Sequence, residues 1–503
     1  MAKPNILLIT SDQQHWNTIG AFNPELSTPH LDRLVREGTT FSRAYCPNPT
    51  CTPSRSSIIT GKYPSQHGAW TLGTKLPEEE TTVGELLQKE GYRTALVGKA
   101  HFQPVFTQEP YTSLEGRDKL HDFAFWREFN GPFYGFGHIE LLRNHTNEYL
   151  VGQHYALWME EKGCGNWRDY YSAPTGTMDE SVPFSWPIPE QFHYNTWIAE
   201  RSNELMEEYS GKDEPFMLWA SFPDPHPPYL VPEPWASMYD PEQLTVPRAV
   251  PGEHEHNPPH FQMTQEAAPD FSSYKETGYG IHGYHSHLGM TDEEHRRAIA
   301  TYYGMVSFMD DAIGSILNKL DALGIADHTI VVFTTDHGHL FGQHGMMHKG
   351  GFHYEDLLRL PFIVRYPGHT PAGAVSGSIQ SLVDLAPTFL HFAGGTVPHA
   401  MTGLDQSAVW LDPEKAVRDH AICEFRHEPT TIHQKTYVGQ RYKLTVYYNQ
   451  SYGELFDLEE DPQEIHNLWN DEAHQSLKME LLMKYIWAEL GKESMPMPRV
   501  SHA

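Results

Sequence analysis

Asn5-Ile6-Leu7-Leu8-Ile9-Thr10 is an unbroken apolar run that closes on polar Ser11-Asp12-Gln13. A run with no outward polar face predicts a strand buried on both sides, as in a parallel sheet covered by helices. Thr28-Pro29 ahead of Leu31 and Leu34 predicts a helix with Thr28 as cap and Pro29 at its first position. A second helix is expected over Thr81 to Glu90, ended by Gly91 and followed by a short strand, Thr94 to Val97. The amphipathic stretch Glu294 to Leu323 leads into another such strand, Thr329 to Phe333, just ahead of Asp336-His337. Strands alternating with helices over this length predict an α/β fold with a parallel or mixed sheet, whose chemistry sits past the carboxyl ends of the strands.

Between about Phe102 and Asp292 the pattern changes. The stretch is rich in Tyr, Phe, Trp, His, Pro and Gly with weak periodicity, so much of it, apart from the apolar run Phe216 to Phe222, is expected to form long loops over the carboxyl edge of the sheet, shaping a pocket. Near the end, Arg441 to Tyr447 alternates like a strand, and a closing helix is expected over about Glu472 to Leu490.

Composition narrows the partners. Lys plus Arg number 36 against 65 Asp plus Glu, a net charge of −29, which argues against nucleic acid or an acidic membrane surface. It disfavours general attraction of any highly charged anionic polymer while allowing one local basic pocket. No apolar stretch approaches the roughly 20 residues of a membrane span. The run Ile6 to Thr10, flanked by Lys3-Pro4 and Ser11-Asp12, reads as a buried strand and not a signal peptide, so the expectation is a cytoplasmic protein. Cys46, Cys51, Cys164 and Cys423 are too few for a disulfide framework, and no paired C-x-x-C supports zinc.

The most specific segment is Cys51 to Gly61, C-T-P-S-R-S-S-I-I-T-G. A lone C-x-P is no more than a loop cysteine opening a helix; with Arg55, Thr60 and Gly61 in place, the segment resembles the signature of the formylglycine-dependent (type I) sulfatases of the alkaline phosphatase superfamily. The resemblance implies that a formylglycine-generating enzyme oxidises Cys51 to an aldehyde during maturation. Its hydrate carries two hydroxyls, one to attack sulfur and one to expel the bound sulfate. Further segments match in order: Gly98-Lys99-Ala100-His101 is similar to the family's G-K-x-H, Pro225-His226-Pro227-Pro228-Tyr229 to its P-H-x-P-[YF], and His348-Lys349-Gly350 to its K-G segment. Gly453-Glu454-Leu455-Phe456-Asp457-Leu458 with Asp461-Pro462 and Asn467-Leu468 resembles the family's carboxyl-terminal motif. The expected architecture is an alkaline-phosphatase-like, mostly parallel mixed sheet flanked by helices over residues 1–400, with long loop insertions at about 102–292. A smaller α+β subdomain, with a small antiparallel sheet and a closing helix, is expected over residues 401–503.

The resemblance also implies a metal cage of Asp12, Gln13, Asp336 and His337 completed by modified Cys51. The usual pair at the first position is Asp-Asp; here Gln13 lowers the cage charge, and His337 brings one nitrogen ligand. One divalent metal is expected, Ca²⁺ first and Mn²⁺ as the alternative that a mixed O/N cage suits. The implied roles are Arg55 holding the aldehyde hydrate and neutralising sulfate, and Lys99 and Lys349 as cations for the sulfate oxygens. Asp336 is the expected base for the attacking hydroxyl, His226 the substrate-contacting acid at the leaving alkoxide and His101 the base for the second hydroxyl. His15, His344 and His353 lie near these motifs and are expected to be structural. The expected reaction is hydrolysis of a small-molecule or saccharide sulfate ester, aryl or carbohydrate. The Asp-Gln and Asp-His variant also resembles the phosphonate monoester hydrolases and choline-sulfatase-like enzymes, which keeps phosphonate monoesters or phosphodiesters as the alternative; a non-catalytic binding protein is the third reading. A homo-oligomer is kept among the expected partners.

Overall fold

The structure, a computed structural model, describes residues 3–143, 150–172, 184–266, 274, 285–286, 290–427, 432–497 and 499–502. Eight strands form the main sheet: β1 (Asn5–Ser11), β2 (Thr39–Phe41), β3 (Arg93–Gly98), β4 (His138–Leu141), β5 (Phe216–Ser221), β6 (Thr329–Thr335), β7 (Phe362–Arg365) and β8 (Ala374–Ser376). Their spatial order is β8-β2-β7-β6-β1-β5-β3-β4, and β7 alone among them runs against the rest. β1 lies at the centre, parallel to β6 and β5, with Leu8 beside both Val332 and Trp219.

The unbroken apolar run has a direct structural reason. Successive side chains of a strand point to opposite faces, so Ile6 and Leu8 enter one core while Leu7 and Ile9 enter another. β6 divides in the same way, Ile330 and Val332 against Val331 and Phe333. A polar residue in either phase would be stranded in a core, and the first polar side chains appear where the strands end.

Helices cover both faces: α1 (Pro29–Glu37), α2 (Cys51–Thr60), α3 (Val83–Lys89), α4 (Tyr194–Ser210), α5 (Asp292–Ala322) and α6 (Leu385–Phe392). α5 opens with a capping box: Thr291 Oγ1 accepts from Glu294 N and Glu294 Oε2 accepts from Thr291 N. Two helix starts refine the expectation. α3 starts at Val83 and not at Thr81, because Thr82 is its cap, accepting from Glu85 N. Thr28 occupies the cap position of α1 with Pro29 first, as expected, but its side chain makes no cap hydrogen bond; the first turn is held instead by Asp310 of α5, whose carboxylate accepts from His30 N at 3.0 Å and Leu31 N at 2.6 Å.

The expectation of long loops at about 102–292 needs correction. Besides β5, which lies in the apolar run Phe216 to Phe222, that stretch supplies the main-sheet strand β4 and the 17-residue helix α4. The pattern hid α4 because polar Asn195 and Ser202 lie on its buried face beside Tyr194, Ile198 and Leu205. Parts of the stretch, 144–149, 173–183 and most of 267–289, lie outside the described residues. Towards the carboxyl end, β9 (Ala421–His427), β10 (Ile432–Val438), β11 (Tyr442–Tyr447) and β12 (Gly453–Asp457) form a four-stranded antiparallel sheet, followed by α7 (Gln475–Gly491). α7 starts later than the expected Glu472, because Glu472–His474 is a 3₁₀ turn. Among the described residues, no helix is long and apolar enough to cross a membrane.

Candidate active site

The carboxyl ends of β1, β6, β5 and β3 converge on the amino terminus of α2, which brings the predicted site residues together from six stretches of chain. Cys51 is the first residue of α2, a helix buried along its whole length. Its Sγ lies 3.6 Å from Asp12 Oδ1 and 3.2 Å from His337 Nε2, and Lys349 Nζ donates to it at 2.9 Å. One turn on, Arg55 is fully buried and spans both carboxylates: Nε donates to Asp336 Oδ2 at 2.7 Å and Nη2 to Asp12 Oδ2 at 3.2 Å. Its Nη1 donates to Lys99 O and to Ser221 Oγ, at 2.9 and 2.7 Å. Lys99 Nζ sits 2.6 Å from Asp12 Oδ2.

Backbone geometry places these groups. Gly98 has φ +109°, and a Cβ there would stand 1.9 Å from Ser221 O, so only glycine lets β3 end close enough for Lys99 N to donate to that carbonyl. Gln13, His101 and His348 take φ of 61°, 58° and 68°, a left-handed conformation that costs energy in residues other than glycine and clusters at functional sites. Glu115 holds the His101 turn, its carboxylate accepting from the backbone N–H of His101, Phe102 and Gln103 at 2.7, 2.7 and 2.8 Å and from Arg143 Nη1 at 3.2 Å.

The charges tune one another. Burial opposes ionisation of Asp12, but Lys99, Arg55, His226 and Lys349 outweigh it and hold the carboxyl well below the usual range. Burial and Asp12 push the Cys51 thiol up; Lys349 and Lys99 more than offset them, so its pKa is lowered. Burial also opposes charge on Lys349, yet the anions around it raise its pKa and keep it cationic. His101 is pushed well below the ordinary imidazole value by burial, then by Arg143 and Lys99, so it is neutral.

Asp12, Cys51, Asp336 and His337 offer donor atoms that all lie within 4.8 Å of one another. His337 Nδ1 donates to Gly338 O at 3.0 Å, leaving Nε2 as the free donor atom towards the cluster. Gln13 adjoins the set: its backbone N–H donates to Asp336 Oδ1 at 3.1 Å and its Nε2 bonds His339 Nδ1 at 2.8 Å, while its buried Oε1 has no hydrogen-bond partner. Three oxygen donors, one imidazole and position 51 fit a divalent cation of the Ca²⁺ or Mn²⁺ kind, and the orphaned amide oxygen is the atom such an ion would satisfy.

His101 and His226 are half-buried, whereas Cys51, Lys99, Arg55 and Lys349 are buried. His15 pairs with Asp356 at 2.7 Å, His344 with Glu253 at 2.9 Å, and His353 with Thr436 at 2.6 Å, so each is tied to another part of the fold. All four cysteines are free and buried. Sequence reasoning passed over Ser221, His339, Glu115 and Arg143. Ser221 had a signal, as the polar residue closing the apolar run Phe216 to Ala220; the others sit in segments without periodicity.

Comparison with known proteins assigns the family. The sulfatase family model matches residues 4–395, and a model described as N-sulphoglucosamine sulphohydrolase, C-terminal, matches residues 342–489. The chain belongs to the sulfatase family. This sulfatase is 28% identical to the arylsulfatase of Clostridium perfringens over 98% of its own length and 95% of the relative's. It is 25% identical to an N-acetylglucosamine-6-O-sulfatase of Bacteroides thetaiotaomicron, over 95% and 85%. In fold, it superposes on the crystal structure of a phosphonate monoester hydrolase of Agrobacterium radiobacter with a TM-score of 0.77 at 22% identity, covering 98% and 97% of the two chains. The fold is therefore the alkaline-phosphatase-like one, and this sulfatase is a hydrolase. A divalent metal and formylglycine are general to its family.

Proposed function

We propose that this sulfatase hydrolyses a sulfate monoester of an aryl or carbohydrate alcohol, with formylglycine formed from Cys51 supplying the attacking hydroxyl. The observation that carries the reading is position 51 itself. Its side chain meets two carboxylates, an imidazole and a lysine at the amino end of a buried helix, where an anion is favoured. A formylglycine-generating enzyme would make the modification before the chain folds around it.

Asp12, Gln13, Asp336, His337 and position 51 would hold the divalent metal, Ca²⁺ first, which supplies Lewis-acid stabilisation of the negative oxygens. Lys99, Lys349 and Arg55 add three fixed positive charges around one small volume. They orient a tetrahedral anion and stabilise charge that grows as the ester bond breaks. Asp336 takes the proton of the attacking hydroxyl. His226, half-exposed and within electrostatic reach of Asp12, protonates the leaving alkoxide and contacts the substrate. His101, held neutral, takes the proton of the second hydroxyl so that sulfate departs.

Gln13 supports a second reading, phosphonate monoester or phosphodiester hydrolysis by the same groups, because a neutral ligand leaves the cage less negative. Turnover of an aryl sulfate and the matching aryl phosphonate on one preparation decides between them. A higher kcat/KM for the sulfate supports the proposal, and a higher value for the phosphonate overturns it. Sulfated mono- and disaccharides then identify the alcohol.

A further inference from the structure

Helix α7 is apolar on two sides. Leu481 and Ala488 are buried in a cluster with Ile422, Tyr437, Leu444 and Leu455 of the antiparallel sheet. Away from that cluster, Met479, Met483, Ile486, Trp487 and Leu490 stand 59, 43, 45, 61 and 59% exposed. A helix that is apolar all round is normally a buried one, and contiguous exposed apolar surface marks an interaction site.

The spacing identifies the occupant. Met479, Met483, Ile486 and Leu490 follow steps of four, three and four, the seam of a coiled coil. That pattern reads the same in both directions. Two copies of α7 packed antiparallel about a two-fold axis would set Met479 against Leu490 and Met483 against Ile486, each contact occurring twice, which is the self-complementarity an isologous interface requires. Trp487 flanks the seam and lines a groove of about 610 Å³ together with Tyr63, Leu404, Tyr442 and Leu481, so one patch carries both a protruding aromatic and a hollow.

Charge and area agree. A chain of net charge −29 repels its own copies, yet the acidic residues of α7 are neutralised within the chain. Glu480 pairs with Lys484 at 2.8 Å, and Glu489 with Lys435 at 2.6 Å and Lys492 at 2.8 Å. Met495 and Met497, in the segment that follows the helix, are 71 and 77% exposed. The seven side chains together expose on the order of 800 Å², the share per partner of a standard protein interface.

We propose that α7 is the interface of a homodimer of this sulfatase, formed by antiparallel pairing of the seam with its copy. The test is the mass of the full chain by light scattering across 1–50 μM, for the parent and for Met483→Glu with Ile486→Glu. The parent is expected at twice the chain mass and the double variant at the chain mass, with turnover and circular dichroism retained, since neither residue touches the active site. Met483→Cys with Ile486→Cys is expected to give a covalent dimer on mild oxidation, read on a non-reducing gel. A parent that stays at the chain mass at 50 μM, or a dimer that both glutamates leave intact, overturns the proposal.

Discussion

Replacing Arg55 by methionine keeps most of the side-chain volume and removes the charge that spans Asp12 and Asp336. The two carboxylates do not suffer equally. Asp12 retains Lys99 Nζ at 2.6 Å, whereas Asp336 is left with the backbone N–H groups of Gln13 and His337, at 3.1 and 3.0 Å. Both carboxylates are fully buried, so the cost is that of a buried pair broken at one end, about 3–5 kcal/mol. An attraction of roughly 4 kcal/mol between unit charges about 4 Å apart at an effective dielectric of 20 has the same size. Arg55 and the metal neutralise the same carboxylates, so removing one makes the other bind more strongly. Urea unfolding of parent and variant, in chelator and in saturating metal, is therefore expected to show the full loss in chelator and a loss smaller by at least about 1 kcal/mol with metal, by linkage. Turnover should fall at least about 100-fold, the size of one lost transition-state donor. A loss below about 1 kcal/mol in chelator, or equal losses in both conditions, would refute the reasoning.

The two site histidines should separate kinetically: His101→Ala is expected to release a burst of about one alcohol per active site and then slow, while His226→Ala should lose most on poor leaving groups and little on a nitrophenyl ester. Equal losses on both substrates without a burst would show the roles to be wrong. Glu115→Gln removes charge from four hydrogen bonds that hold the His101 turn, so kcat should drop about 10-fold or more with KM nearly unchanged; an unchanged kcat would mean that His101 needs no such support. Burial pushes the Asp310 carboxyl up to about 7, with the N–H groups of His30 and Leu31 opposing it. The native state then keeps a proton that the unfolded chain has lost between about pH 4 and 7, so stability should fall as pH rises through that window, by up to about 4 kcal/mol. Urea midpoints from pH 5 to 8 check this: Asp310→Asn should flatten the slope, and an identical slope in the variant would count against it.

The parts of the fold that could be read in advance are those whose cause is local. β1 and β6 declare themselves because alternate residues enter two cores, which forces an unbroken apolar run ending in the polar pairs Asp12-Gln13 and Asp336-His337. The signature at Cys51 is equally local, since one turn of α2 carries both the cysteine and Arg55. The features that escaped depend on distant partners. Asp310 caps α1 from 279 residues beyond Leu31, a pairing that no window on the sequence contains. β4 is four residues long with polar His138 and Glu140 in alternate positions, and α4 buries Asn195 by hydrogen bonding it to Asp224 at 2.8 Å, which removes the apolar stripe a helix is recognised by. Glu115 acts through backbone amides, and a backbone acceptor leaves no motif.

The central claim is that catalysis belongs to the modified side chain at position 51, and the most direct test is sulfate release from an aryl sulfate plotted against the fraction of chains carrying the aldehyde. Preparations made with different amounts of the generating enzyme, each scored by intact mass, supply the range. The account predicts a straight line through the origin, with Cys51→Ala at zero. Substantial sulfate release from chains that all retain the thiol would contradict it.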